Sequence, residues 1–154
     1  MRFLSGILTV CFMLSVGILL HSCGNEQTPE GKPQQLTTAE TRCFLLAQNN
    51  DTTRVSLTVL GDSAYGTMEW LPDQKDGARG TLGGRKNDIG EWEFVYRYMI
   101  EGEEQSETKT MMIRGDALLI KSGELVDPAG NGNLCYKDAS AARYSDTLHA
   151  VPCR

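Results

Sequence analysis

The chain has 154 residues, with 15 Lys and Arg against 20 Asp and Glu and a net charge of −5. An acidic chain with scattered cations is not built to neutralise phosphates, which argues against nucleic acid as a partner. Apolar residues make up 40% of the sequence, enough for one modest core in one domain.

The N-terminal segment reads as an address. Met1-Arg2 is a short positive end, and Phe3 to Leu20 is apolar apart from Ser5, Gly6, Thr9, Ser15 and Gly17. A charged end, an apolar stretch and a small residue before a cut make a secretory signal. A membrane-spanning helix of about 18 residues is the competing reading, and the ending Leu20-His21-Ser22-Cys23 tips the choice. That ending resembles the lipobox of bacterial lipoproteins. The resemblance implies cleavage after Ser22 and acylation of Cys23, with residues 1–22 as signal peptide. Two or more acyl chains give stable membrane anchoring. Gly24, rather than Asp, follows the cysteine, and similarity to Gram-negative lipoproteins implies the outer membrane as destination.

Residues 23–41 form the expected lipidated N-terminus and tether. Beyond Cys23 the stretch holds two prolines, two glycines and one large apolar residue, Leu36. It cannot bury enough surface to offset the entropy of ordering. The domain is expected over residues 42–154.

From residue 42 the pattern is strand after strand: 42–48, 53–60, 64–71, 78–86, 90–100, 107–114, 117–122 and 146–152. Turn chemistry joins them at Asn49-Asn50-Asp51, Gly61-Asp62, Asp76-Gly77, Asn87-Asp88 and Gly115-Asp116. Trp92, Phe94, Tyr96, Tyr98 and Ile100 share one face, and Val55, Leu57 and Val59 do the same in an earlier strand. No segment sustains a helical period; Asp138 to Arg143 could form one short turn. Consecutive short strands predict an all-β fold, a small antiparallel meander barrel of about eight strands, since closure removes exposed edges. A two-sheet sandwich is the alternative. Gly66, Gly80, Gly83 and Gly84 fall within strands, where a curved barrel needs bends.

Cys11 leaves with the signal and Cys23 is the lipid site. Cys43, Cys135 and Cys153 remain for an oxidising compartment. A bond between Cys43 and Cys153, near the two ends of the domain, is the favoured pairing, with Cys135–Cys153 the alternative. The leftover thiol is expected to act as a small buried hydrophobe.

Cys43-Phe44, Asn50-Asp51-Thr52, Gly66, Gly80, Gly84, Phe94-x-Tyr96 with Glu101-Gly102, and a terminal Cys153 together resemble a group of small lipoproteins of the Bacteroidota. The likeness covers most of residues 42–153 and implies fold and address; no established activity comes with the group. A weaker similarity is to membrane-bound lysozyme inhibitors of the C-type class, carried by Ala142-Arg143-Tyr144-Ser145 and Thr108-Lys109. Those pieces stand here in the opposite order, and glycine is missing before Ala142.

Catalytic chemistry finds little support. His149 is the one histidine after residue 22, and its neighbours Ser145 and Asp146 are close only in sequence, which does not make a triad. Glu91 and Glu93 are two residues apart on a strand and read as the wet side of a sheet. Met68, Met99, Met111 and Met112 suit an irregular core better than copper. Glu101 to Glu107 lacks calcium-loop spacing and reads as an acidic hairpin tip. Arg114-Gly115-Asp116 spells an adhesion tripeptide but also closes a hairpin. Residues 122–134 form a long Gly- and Asn-rich stretch, the best single guess for a contact loop. No enzyme, metal or cofactor is expected.

The aromatic stripe is the candidate site. Trp70, Trp92, Phe94, Tyr96 and Tyr98, with Tyr65 and Met68 nearby, either build an ordinary core or line a partly open barrel that grips an apolar or sugar-like ligand. The expected function is non-enzymatic binding of such a ligand by a membrane-anchored envelope lipoprotein. The alternative is a protein-interaction role, as an inhibitor of a wall-degrading hydrolase or an envelope assembly factor.

Overall fold

The computed structural model describes residues 38–154. The expected signal segment, the expected lipid site Cys23 and the expected tether up to Thr37 lie outside the described residues. The elements are β1 (Glu40–Gln48), β2 (Asp51–Leu60), β3 (Ser63–Leu71), β4 (Ala78–Lys86), β5 (Trp92–Ile100), β6 (Glu103–Arg114), β7 (Ala117–Ser122), β8 (Leu125–Val126), β9 (Asn133–Tyr136) and β10 (Arg143–Val151). The described residues contain no helix.

β1 to β7 pair in sequence order, each antiparallel to the next, and β10 lies between β7 and β1. The result is a closed eight-stranded antiparallel barrel, the expected architecture. Tight turns make the meander possible. Asn49 and Asn50 have φ of 52° and 69°, and Glu101 and Gly102 have 52° and 83°. Two-residue hairpins with both φ positive match the twist of the strands they join.

Alternation decides what fills the barrel. Register aligns Phe44 with Val55, Val55 with Met68, and Trp92 with Met111, which aligns with Ile120. Phe44, Val55, Leu57, Phe94, Met111, Leu118, Ile120 and Leu148 are fully buried. These side chains occupy the interior and form one continuous core.

Glycine permits the curvature. A Cβ on Gly66 would lie 1.8 Å from the Ser56 carbonyl oxygen, and one on Gly80 1.9 Å from that of Arg97. Neighbouring backbones approach there more closely than any side chain allows.

The end of the barrel carrying the first residue of β1 is tied shut. Arg42 Nη2 donates to the Gly115 carbonyl at 2.6 Å and stands 3.6 Å from Asp116. Its guanidinium also lies over the Phe44 ring, 5.2 Å from the centroid. Arg114-Gly115-Asp116 is therefore the β6–β7 turn, with Gly115 at φ 57°. Cys43 and Cys153 are bonded, with Cα atoms 5.2 Å apart, and so join first and last strands. Cys135 is free and half-buried on β9.

Several expectations need correction. The 122–134 stretch is not all loop: β8 and β9 pair antiparallel, and β9 lies parallel on β6 through Ser106–Asn133 and Glu107–Leu134. β7 pairs only with Met111 to Arg114 of β6, which leaves the earlier part of β6 an edge for β9 to cover. Tyr65 points outward and is exposed, unlike Met68, because an odd separation on a strand changes face. Glu91 is buried, not on a wet face: its Oε1 accepts from Lys121 Nζ and from the Tyr144 hydroxyl, both at 2.7 Å. Glu103 to Ser106 extend β6 rather than forming a hairpin tip, and Glu107, at the expected start of that strand, pairs with Lys109.

Candidate binding site at the open end of the barrel

The opposite end of the barrel is open, and the ladder shows why. β1 and β10 pair only through Cys43–Val151, Phe44–Ala150 and Leu45–His149. Both strands run on toward the mouth, β1 to Gln48 and β10 back to Arg143, without pairing to each other. A register shift between Tyr144 and Asp146 bulges β10 in that stretch. A bulge turns the strand and re-aims its side chains.

The split holds a pocket of about 290 Å³ lined by Leu46, Gln48, Asn49, Asp51, Thr53, Trp70 and Asp146. Leu46, Gln48, Thr53 and Trp70 share the face of buried Phe44, Val55 and Met68. Asp146, opposite buried Ile120, joins them from β10. Trp70 is 36% exposed, so part of its indole surface faces solvent at the top of the filled core. The rim is braced: Asp51 Oδ1 accepts the Asp73 backbone N–H at 2.9 Å, and Asn50 Nδ2 donates to Asp73 Oδ2 at 3.5 Å. The β3–β4 connection is thereby fastened to the β1–β2 turn.

The aromatic candidates separate into three settings. Trp92, Phe94 and Tyr96 are core, exposed by 4%, 1% and 2%. The Tyr96 hydroxyl donates to the Met68 carbonyl at 3.0 Å, and burial, then the Glu107 charge, push its pKa well above the usual phenol value. Tyr98 is half-buried, stacks on Tyr96 with ring centroids 4.7 Å apart, and donates to Gln105 Oε1 at 3.1 Å. Burial raises its pKa as well. Trp70 alone of the five reaches the mouth pocket. Its companions Leu46, Gln48, Asn49, Asp51, Thr53 and Asp146 escaped the sequence reading, because they come from separate strands brought level by register. The Asn49-Asn50 turn was their one local signal.

His149 is exposed on β10. Ser145 Oγ bonds to Ser122 Oγ at 2.6 Å and to Asp146 Oδ1 at 3.2 Å, so the serine faces another hydroxyl and a carboxylate rather than the imidazole. Among the described residues no group of three or more His, Cys, Asp or Glu side chains is placed to hold a metal ion. No family model, curated protein or solved structure matches the chain.

Proposed function

We propose that the protein is a lipid-anchored envelope protein that binds a small sugar-like ligand at the barrel mouth, without acting on it chemically. The observation that carries this reading is the half-exposed Trp70 indole set among carboxylate, carboxamide and hydroxyl side chains in one pocket. An indole face takes the C–H surface of a sugar ring, while flanking acceptors and donors fix its hydroxyls. The pocket volume is near the lower bound of about 300 Å³ for ligand sites. A core filled by Phe44, Phe94 and Leu57 favours docking at the mouth over engulfment in the barrel.

The test is a glycan array probed with the folded protein, followed by titration of each hit against Trp70→Ala. Binding lost in the variant supports the reading; binding that the variant keeps sends the ligand elsewhere.

One observation favours a second reading, a protein-interaction role. The Glu101-Gly102-Glu103-Glu104 tip is exposed at the mouth end of β5 and β6 and offers a negative contact to a basic hydrolase. Stoichiometric inhibition of a lysozyme, abolished by Glu103→Gln with Glu104→Gln, would establish that role instead.

A further inference from the structure

A second recess lies on the outer face of the barrel, distinct from the mouth pocket. It encloses about 560 Å³ between the β4–β5–β6 sheet and residues 131–133. Cross-strand register lays out its floor. Arg79 faces Met99, which faces Glu104; Thr81 faces Arg97, which faces Ser106. Arg79 and Arg97 are therefore diagonal neighbours on one face, about 7–8 Å apart and within reach of one small group.

The wall is built, not loose. Asp127 accepts backbone N–H groups of Asn131 at 3.2 Å and Gly132 at 2.7 Å. Ser106 N donates to the Gly132 carbonyl at 3.0 Å, which fastens the same turn to β6. Gly130 and Gly132 take φ of 63° and 79°, where a Cβ would add strain.

The polar groups facing this recess are mostly donors. Two carboxamides of the wall, Asn131 and Asn133, line it, and each has its oxygen engaged by the framework. Asn131 Oδ1 accepts from the Asn133 backbone N–H at 3.2 Å, and Asn133 Oδ1 from Ser106 Oγ at 2.6 Å. That leaves their amino groups without bonds among the described residues. Two guanidiniums join them. Arg79 meets a carboxylate only in an exposed pair with Glu69 at 3.6 Å, and Arg97 has no ion pair among the described residues. Against these stands one lining carboxylate, Glu104. On a chain of net charge −5, this concentration of donors selects an acceptor with negative charge.

We propose that this groove binds a small ligand through one oxyanion, a carboxylate or a phosphate monoester. Arg97 and Arg79 hold the charge, and the amino groups of Asn131 and Asn133 fix its orientation. Met99, 46% exposed between Arg79 and Glu104, takes an apolar part of the same ligand.

Calorimetric titration tests this in the Trp70→Ala background, which removes any contribution from the mouth. The probes are glucuronate, glucose 6-phosphate and glucose, at physiological salt. The expected result is that one or both anions bind while glucose does not, and the pattern tells carboxylate from phosphate. Adding Arg97→Gln weakens binding roughly tenfold or more, equivalent to about 1.4 kcal/mol. Arg97→Lys gives an intermediate loss, because charge remains but the planar fork does not. Failure of both anions to bind, glucose binding equally well, or indifference to Arg97→Gln would each overturn the proposal. Arg97 is exposed, so its variants fold, and a circular dichroism spectrum verifies it.

Discussion

Leu45 and His149 face each other as the last pair of the β1–β10 ladder, and past them the two strands part. Everything at the mouth follows from that divergence. Gln48 and Asp146, which a continued ladder would bring level, instead line two sides of a pocket above Leu46. The barrel thus closes firmly at the Cys43–Cys153 end and stays split at the other, with Trp70 on the border between core and solvent.

The two tryptophans should behave oppositely. Trp92→Ala removes a ring that is 4% exposed and should cost about 3–5 kcal/mol. Trp70→Ala removes a half-exposed ring and should cost less than half as much. Urea unfolding of both variants checks this, and the mild cost at Trp70 is what makes that position usable for binding tests.

Gly80 and Gly83 sit three residues apart on β4 with opposite tolerances. A Cβ at Gly83 meets nothing within 4 Å, whereas one at Gly80 would lie 1.9 Å from a carbonyl oxygen. Gly83→Ala should stabilise by about 0.5–1 kcal/mol through lost chain freedom in the unfolded state. Gly80→Ala should destabilise by about 1–3 kcal/mol or more as the strands are forced apart. Thermal melts distinguish them directly.

The Glu91–Lys121–Tyr144 cluster should shape the pH profile from both sides. Lys121, then Tyr144, bond to the Glu91 carboxylate and hold its pKa below the usual glutamate value against the opposing effect of burial. A depressed carboxyl contributes stability above its unfolded pKa, and that contribution goes as pH falls through the folded value. Burial, then the bond to Glu91, push Tyr144 from 10.0 to about 12. A raised phenol contributes below its unfolded pKa, and that contribution fades as pH climbs from 10.0 to about 12. Glu91→Gln should cost about 2 kcal/mol at neutral pH and flatten the acid limb of stability against pH.

Reduction of Cys43–Cys153 opens a link across 110 residues. On the chain-entropy model it is worth roughly 4–5 kcal/mol. Unfolding with and without reductant should differ by that order, while Cys135→Ser should leave the reductant effect intact.

The barrel was legible where burial imposes strict alternation. Trp92, Phe94 and Tyr96 read as one face and are one face. The favoured Cys43–Cys153 pairing was legible because both residues sit at the ends of the domain. Legibility failed where pairing overrides composition. Glu103-Glu104-Gln105-Ser106 reads as turn but extends β6, since Tyr98, Met99 and Ile100 offer it partners across the ladder. β8 and β9 have two and four residues, too short for any period to show. The mouth was legible only in Trp70. Asp146 reaches it through a bulge that local sequence does not announce, and Leu46 and Thr53 through cross-strand register. The outer groove was equally hidden, because Arg79 and Arg97 become neighbours only through cross-strand register, and the amino groups of Asn131 and Asn133 are what remains after their oxygens are engaged.

The most direct test of mouth binding is native mass spectrometry of the protein made in an oxidising periplasm and purified gently, beside its Trp70→Ala variant. The account predicts a stoichiometric extra mass of sugar size, acquired in the cell or from envelope extract, that the variant lacks. A bare mass in both proteins after exposure to extract, or an extra mass that persists in the variant, would contradict it.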